Sequence, residues 1–569
     1  MKKLLALVLC AVMLCSTAAP AAVAADTKTQ AVQELVESKT ADLFTVFSGL
    51  DGDFGDNFMK VLYNMLNVLV ERLVRVVCLI YPNPGSWKTL KQFYAGDSGF
   101  MSGRDTYQTE KKDGSYWSLG YASRSIIPPD INDTEYYLGR DLLNKKAQGV
   151  YDDQRIRVSV VDDNSGEGAV VIAAIDAMGV TSTDIRSIRK QVLAYCEEKG
   201  ISVAGINIMS THCHSALDCQ GVSTEFFYKL FTAGFYNFVK QEEKTTYLNN
   251  ANSFKAYFIE QSVIAIEEAF ADMTAGTMSF SEIDTSYFVK DKRELVDKED
   301  IPPFAVLKVT PSDASENTYI VNATCHPTSF SANNGVVSSD YIYYLDRYIK
   351  ENDNGANTVL FQGSLGQLSR DNMDVDETGL SEWERMGAET AYLGETFAGL
   401  ILAADYGTEL EPILNYRAKE IFMSAENSIL QLACEVGLVN NQVVYQDIGN
   451  ATMASEQWYL EFGHKIGFAM FPGELYPEVF WGSDIIDNQS WDGSEWQWKE
   501  GLHHSVEGVD VYCISLANDA TGYVLTDNNF AFMGHIIGDS ISDEVLSAGK
   551  HMGSFLVSNY LDLVDGYTK

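Results

Sequence analysis

The sequence predicts an α/β domain built from layers of mixed sheet with flanking helices. Short runs rich in Val, Ile and Ala, such as residues 169–175, are typical of buried strands. Longer helical stretches, such as residues 184–199, lie between these runs. The two kinds of stretch alternate after Trp117, and strands separated by helices favour the α/β class.

The elements follow one another along the chain without an internal repeat or a low-complexity tract. Strands are predicted at 155–161, 169–175, 203–209, 304–309, 319–323, 358–361, 467–471 and 509–516. Helices are predicted at 184–199, 226–240, 253–272, 341–351 and 383–404.

The first 25 residues have the layout of a secretory signal peptide. Met1-Lys2-Lys3 precedes the apolar run 4–14, and small residues lead to Ala24 and Ala25. We therefore expect cleavage near Ala24 or Ala25 and a secreted or cell-envelope protein, with a leader of bacterial type.

Residues 26–110 are predicted to form a helical extension and a connector, ahead of the main domain over 111–569. The segment 58–81 is strongly apolar, but Glu71, Arg72 and Arg75 make a membrane-spanning helix a poor interpretation. This helix is expected to pack on the main domain. The alternative is an amphipathic element that makes transient contact with a membrane surface or a lipid substrate.

Charge and cysteine content exclude some classes of protein. A formal charge of −38 repels nucleic acid and anionic lipid headgroups, so no nucleic-acid partner is expected. Nine cysteines are sparse for 569 residues, which excludes a disulfide scaffold. A Cys213–Cys219 bridge is conceivable.

Histidines mark a candidate metal site. His212-Cys213-His214 follows the predicted strand 203–209, and His326 follows the strand 319–323. In an extended strand, residues two apart share a face, so both histidines of the first motif can point into one site. Neutral imidazoles that converge at strand ends suit zinc, although paired histidines can also be simple hydrogen-bonded polar residues.

Other polar residues follow further predicted strands. The strand 358–361 leads into Gly363 to Ser369, the strand 467–471 leads to Glu474, and the strand 509–516 leads to Asn518 and Tyr523. Sites in open α/β sheets form outside the carboxyl ends of strands, so these residues are predicted to share one site. Taken alone, Glu474 could equally be a turn carboxylate that caps a helix.

These segments resemble the neutral/alkaline ceramidases, in order and approximate spacing, over residues 117–530. Thr211 to Ser215 is similar to the family's Thr-His-Thr-His-Ser, and His326 to Ser329 with Ser338-Ser339-Asp340 to its His-Pro-Thr-Ser…Ser-Asp block. Residues 362–369 resemble the segment of its active-site serine, Pro472-Gly473-Glu474 its Pro-Gly-Glu, and 516–523 its Leu-x-Asn…Thr-His-Tyr.

The resemblance implies a zinc ion held by His212, His326, Glu474 and Tyr523. A metal-activated water would then cleave the amide bond of ceramide or a related N-acyl lipid. His214 and Ser369 are the implied catalytic residues, which handle the proton or orient the leaving amine. A route with Ser369 as nucleophile is the minor alternative and needs a general base within hydrogen-bond reach.

Several positions depart from the family's pattern. Gln367 and Arg370 replace an Asp and a Pro beside the serine, Arg293 lacks the motif of the substrate-binding arginine, and His535 stands where another tyrosine is expected. No C-terminal sandwich domain is expected after Tyr523. These changes favour hydrolysis of a different amide or ester (an acylated amino acid or a cell-envelope component). The other alternative is a non-catalytic binding relative, against which the retention of all four ligand positions argues. The oligomeric state is not predicted.

Four further histidines carry no motif. His464, His503, His504 and His551 are therefore predicted to be surface or loop residues.

Overall fold

A computed structural model describes residues 88–530 and 543–569, apart from 97, 140–144, 222–240, 331–334, 372, 376–377, 436–438, 448–449 and 492; before residue 88 it describes only Val61 and Met65. The predicted signal peptide, the helix 58–81 except for those two residues, the helix 226–240 and His535 lie outside the described residues. The predicted domain boundaries stay predictions.

Helices and strands fill most of the described chain. The strands are β1 (Lys88–Thr89), β2 (Trp117–Ser125), β3 (Gly149–Val150), β4 (Arg155–Asp162), β5 (Ala169–Ile175), β6 (Val203–Ser210), β7 (Thr274–Ile283), β8 (Val289–Asp291), β9 (Phe304–Pro311), β10 (Thr318–Ala323), β11 (Val336–Val337), β12 (Asn357–Gln362), β13 (Leu368–Arg370), β14 (Thr408–Leu410), β15 (Leu414–Ser424), β16 (Val443–Asp447), β17 (Asn450–Phe462), β18 (Ile466–Met470), β19 (Glu474–Leu475), β20 (Asp510–Ile514) and β21 (Tyr523–Val524). The helices are α1 (Leu90–Ala95), α2 (Ser182–Lys199), α3 (Gln241–Ala271), α4 (Tyr341–Asn352), α5 (Glu382–Ala403), α6 (Ser428–Glu435), α7 (Pro477–Phe480) and α8 (Met552–Thr568).

Two mixed sheets pack face to face. The nine-stranded sheet has the order β12-β10-β9-β7-β2-β4-β5-β6, with β14 beside β7. The six-stranded sheet has the order β1-β16-β17-β18-β20, with β15 beside β17. Apolar side chains of both sheets, among them Ile172, Leu307, Trp458 and Phe468, form one buried cluster between them.

Helices cover the outer faces of both sheets. Helices α2 and α3 share a core with β4, β5 and β6, and α4 and α5 share one with β9, β10 and β12. Helix α8 packs with α6 and α7 on the six-stranded sheet. The result is four layers in the order helix, sheet, sheet, helix, which confirms the predicted α/β class. Among the described residues, none of the helices combines the length and apolarity needed to cross a bilayer.

Strand β5 shows why continuous apolar runs predicted strands correctly. Val170, Ile172 and Ala174 face the second sheet, whereas Val171 and Ala173 face the helices. Both faces of the strand are buried, so neither face carries polar residues. All the predicted strands are present with ends close to those expected, and α3 begins earlier than predicted, at Gln241.

Four long strands were not predicted, namely β2, β7, β15 and β17. Strand β17 contains Glu456, which is fully buried and lies 2.7 Å from Nη1 of Arg189 on α2. The guanidinium compensates for the lost hydration of the carboxylate. A buried acidic residue breaks the apolar pattern on which strand prediction depends, so tertiary pairing concealed this strand.

The six cysteines within the described residues are buried, and Cys213 and Cys219 form no disulfide. The conceivable Cys213–Cys219 bridge is therefore not formed. Burial holds the pKa of both thiols well above its usual value.

Backbone hydrogen bonds join the two sheets at the carboxyl ends of their strands. Ser515 N donates to Gln362 O at 2.8 Å, and Asn518 N donates to Ile208 O at 2.9 Å. The Asn518 side chain also accepts from Ile208 N at 2.9 Å. These contacts bring the loops after β6, β12 and β20 to one place, and Asn518 is a structural residue there.

Candidate metal centre

The loop after β6 places His212 and His214 beside each other. The strand ends at Ser210, and His212 has a φ of 63°, in the left-handed region that a non-glycine residue rarely adopts. The two histidines lie beside each other as expected, but the expectation that an extended strand aligns them is wrong. A strained turn aligns them instead, and backbone bonds from Thr211 to Ile175 O (2.9 Å) and from Cys213 to Ala177 O (3.1 Å) hold it.

Backbone carbonyls orient two of the imidazoles. His212 Nδ1 lies 2.8 Å from Met178 O, and His326 Nδ1 lies 2.8 Å from Leu368 O. A carbonyl can only accept a hydrogen bond, so Nδ1 carries the proton in both rings. In the neutral tautomer, each Nε2 then presents a lone pair to the centre of the site.

Glu474 lies between these two nitrogens. Its Oε2 is 3.1 Å from His212 Nε2, and its Oε1 is 2.9 Å from His326 Nε2. The residue is 3% exposed. Strand β19, which begins at Glu474, pairs in parallel with β21 so that Glu474 is opposite Tyr523. The Tyr523 hydroxyl lies close enough to Glu474 for the carboxylate to raise the pKa of the phenol.

The third imidazole completes the cluster. His214 Nε2 lies 3.1 Å from His212 Nε2. One ligand atom from each of His212, His214 and His326 lies within 4.8 Å of the other two. The structure thus brings together His214 and the four predicted ligands from four separate segments, which follow β6, β10, β18 and β20.

The donor atoms fit a divalent ion. Zinc-type ions bind imidazole nitrogen and carboxylate oxygen at about 2.0–2.2 Å, so that neighbouring donors lie roughly 3 Å apart. The separations of 2.9 and 3.1 Å between the Glu474 oxygens and the two Nε2 atoms match this spacing. The site also offers both nitrogen and oxygen donors, and zinc-type ions bind both kinds of donor.

Charge stabilises the cluster in a definite pH range. Burial opposes the charged form of His212, but the Glu474 carboxylate raises its pKa above 6.5 overall. Burial likewise opposes ionisation of Glu474, but His212 and His326 lower its pKa to about 2. The raised pKa of His212 adds stability below pH 6.5 that is lost as the pH rises through the folded value. The lowered pKa of Glu474 adds stability above pH 4.5 that is lost as the pH falls towards 2.

Tyr523 is a neutral phenol in this environment. Burial and the negative charge of Glu474 raise its pKa well above 10. Phenolate ligation would need a cation close by to reverse this shift.

Ser369 lies close to the cluster but forms no hydrogen bond with its described side chains. It follows Leu368, whose carbonyl accepts from His326, and it is 5% exposed. Within the described part of the chain, its hydroxyl makes no hydrogen bond with any of the three clustered histidines or with Glu474. Its predicted catalytic role stays a prediction, and a nucleophilic serine would need a general base that these side chains do not provide.

A group of side chains beside the cluster was missed from sequence. Asp543 accepts hydrogen bonds from Tyr476 and from Gln367 Nε2, the latter at 2.6 Å. Arg293 lies over the Tyr476 ring, 5.2 Å from its centroid, and donates to Asn529. In the sequence, Gln367 and Arg293 stand out only as departures from a motif. No local pattern around Asp543 indicated that it would lie here.

Glu478, four residues beyond Glu474, has a buried carboxyl group that makes the stability depend on pH. Glu478 is 1% exposed, and its carboxyl oxygens have no hydrogen-bond partner among the described residues. Burial and the charge of Asp291 raise its pKa from 4.5 to about 8. The folded chain therefore holds a proton that the unfolded chain releases, and stability falls as the pH rises from 4.5 through 8.

The variant Glu478→Gln removes this proton. We expect its unfolding free energy, relative to the parent, to rise by about 3–5 kcal/mol between pH 4.5 and pH 9. Urea unfolding of both proteins across that range measures the difference in unfolding free energy. The contributions of all other titrating groups cancel in this difference. A difference that does not change with pH would show that Glu478 ionises normally.

The fold and the site together define an α/β protein with a histidine–carboxylate centre at the joined ends of two sheets. Its fold is that of neutral ceramidase. The structure of neutral ceramidase from Pseudomonas aeruginosa matches with a TM-score of 0.57 and 14% sequence identity, over 79% of this chain and 74% of that chain. A structure described as ceramidase complexed with C2 matches with a TM-score of 0.54 and 14% identity, over 79% and 75% of the two chains.

The comparison confirms the expected resemblance at the level of the fold. No protein-family model matches the sequence, and no curated protein does. At such low identity the chain is a distant structural relative of ceramidase, and its chemistry must be inferred from its own residues.

Proposed function

We propose that this protein is a zinc-dependent amidohydrolase that cleaves ceramide or a related N-acyl lipid. The observation that carries this proposal is the contact of Glu474 with both His212 and His326, 3.1 and 2.9 Å from their Nε2 atoms. Buried imidazoles with fixed tautomers and a shared carboxylate are the donor set of a hydrolytic zinc site. The ceramidase fold favours a lipid amide as substrate.

His212, His326 and Glu474 would hold the ion, and Tyr523 would complete the set. When bound, zinc supplies Lewis-acid polarisation of the amide carbonyl and a lowered pKa for water. His214 is placed to accept the proton of the attacking water and to return it to the leaving nitrogen. Water adds to the carbonyl carbon, the C–N bond breaks, and a carboxylic acid and an amine are released.

The surroundings of the cluster support this chemistry. His212, His326 and Glu474 are all less than 9% exposed, so electrostatic interactions with the substrate are weakly screened. Export is part of the proposal, as the first 25 residues predict.

Metal content and hydrolysis test the proposal on the same preparations. We expect the parent to hold about one zinc ion in this site and to release fatty acid from ceramide, and His212→Ala and His326→Ala to lose both properties. His551→Ala, which replaces an exposed histidine beside Glu426, is the matched control. Activity that survives both substitutions would refute the site. Cleavage of simple N-acyl amines or esters without cleavage of ceramide would show that the substrate is a different amide or ester.

A further inference from the structure

A second cluster of metal-binding side chains lies outside the proposed active site. His503 and His504 precede a turn that ends at Asp510, the first residue of β20. His504 Nδ1 is 3.4 Å from Asp510 Oδ1, and His503 Nε2 is 3.9 Å from the same oxygen. One ligand atom from each of the three residues lies within 4.8 Å of the other two. Donors on one zinc-type ion lie roughly 3–4 Å apart, so a small side-chain movement closes this set around an ion.

The ring of His503 is fixed in the form that binds a metal. Its Nδ1 lies 2.7 Å from Val511 O, so the proton is on Nδ1 and the lone pair is on Nε2, which faces Asp510. Trp481 packs against the same ring with a centroid distance of 4.8 Å, and Tyr512 packs against it at 5.1 Å. Burial lowers the pKa of His503 below 6.5, which keeps the imidazole neutral at pH 7.

The other two groups are open to solvent. The side chains of His504 and Asp510 are 78% and 55% exposed, so an ion can reach them without unfolding. The formal charge of −38 raises the concentration of cations near the surface. Two imidazoles with one carboxylate favour borderline transition ions over calcium or magnesium, which prefer oxygen ligands.

We propose that His503, His504 and Asp510 form a second, peripheral binding site for a divalent transition ion such as zinc. The site joins the two ends of the turn before β20, where Val511 N already donates to His503 O at 2.8 Å. Bound ion therefore stabilises the folded turn by mass action, because the unfolded chain does not hold the three groups together. This site does not depend on the proposed hydrolytic activity.

The test measures zinc binding to the full chain by equilibrium dialysis, with zinc as the only added ligand. We expect Asp510→Asn and His504→Ala to weaken zinc binding at this site about tenfold or more, since each removes one of three ligands. Both side chains are exposed, so these variants should fold as the parent does. His503→Ala should have the same effect, and His551→Ala, an exposed histidine 3.2 Å from a Glu426 oxygen, should have none. His212→Ala should leave this site intact, which separates it from the proposed active site.

Trp481 supplies an independent signal. Because its ring lies against His503, copper(II) bound at the cluster should quench its fluorescence. Quenching should be lost in both Asp510→Asn and Trp481→Phe. Asp510→Asn should lose it because the ion no longer binds, whereas Trp481→Phe should still bind the ion. Equal zinc affinity in the parent, Asp510→Asn and His504→Ala would overturn the proposal.

Discussion

Replacing Glu474 with glutamine is expected to release the bound ion and to lower amide hydrolysis at least about a thousandfold. The carboxylate contacts the Nε2 atoms of His212 and His326 with its two oxygens. An amide has one oxygen and no charge, and its NH2 group would face a nitrogen that must bind metal. Elemental analysis and the hydrolysis rate measure the two effects on one preparation.

Glu478→Gln is the matched control for this variant. Glu478 is also a fully buried carboxyl in the same segment, but its raised pKa of about 8 keeps it neutral at pH 7. The substitution should therefore retain the ion and leave the rate within about threefold of the parent. If Glu474→Gln keeps its zinc while losing activity, the carboxylate acts on the proton and not on the metal, and the ligand set must be revised.

Sequence patterns located the strands that carry the site because those strands are buried on both faces. In β5 and β6 nearly every side chain lies in a core, so the apolar runs ended close to the observed strand ends. The residues directly after such runs lie at the joined ends of the two sheets. This is why His212, His326 and Glu474 could be assigned to one site from their positions in the chain.

The remaining features depend on tertiary structure that no local pattern records. The left-handed turn at His212 is held by backbone atoms at the end of β5 and in the loop after it, some 35 residues earlier in the chain. Asp543 is held beside the cluster by hydrogen bonds from Tyr476 and Gln367, which are distant from it in the chain. The pairing of Glu456 with Arg189 concealed β17 for the same reason. Contacts between distant segments determine these positions.

His214→Ala is expected to retain the ion and to lose about a hundredfold to a thousandfold in hydrolysis rate. His214 Nε2 lies 3.1 Å from His212 Nε2, but Glu474 contacts only the other two histidines through its oxygens. In the proposed mechanism His214 transfers the proton, and its removal leaves the paired donors of Glu474, His212 and His326 in position. Zinc content and the rate of fatty-acid release distinguish this role from that of a ligand.

Ser369→Ala provides the contrast that assigns the proton-transfer step. Ser369 makes no hydrogen bond with His214 in the described structure, so its loss should lower the rate less than about tenfold, whereas a nucleophilic serine would be essential. If His214→Ala instead loses its zinc, His214 is a ligand together with His212 and His326, and proton transfer must be reassigned to another group.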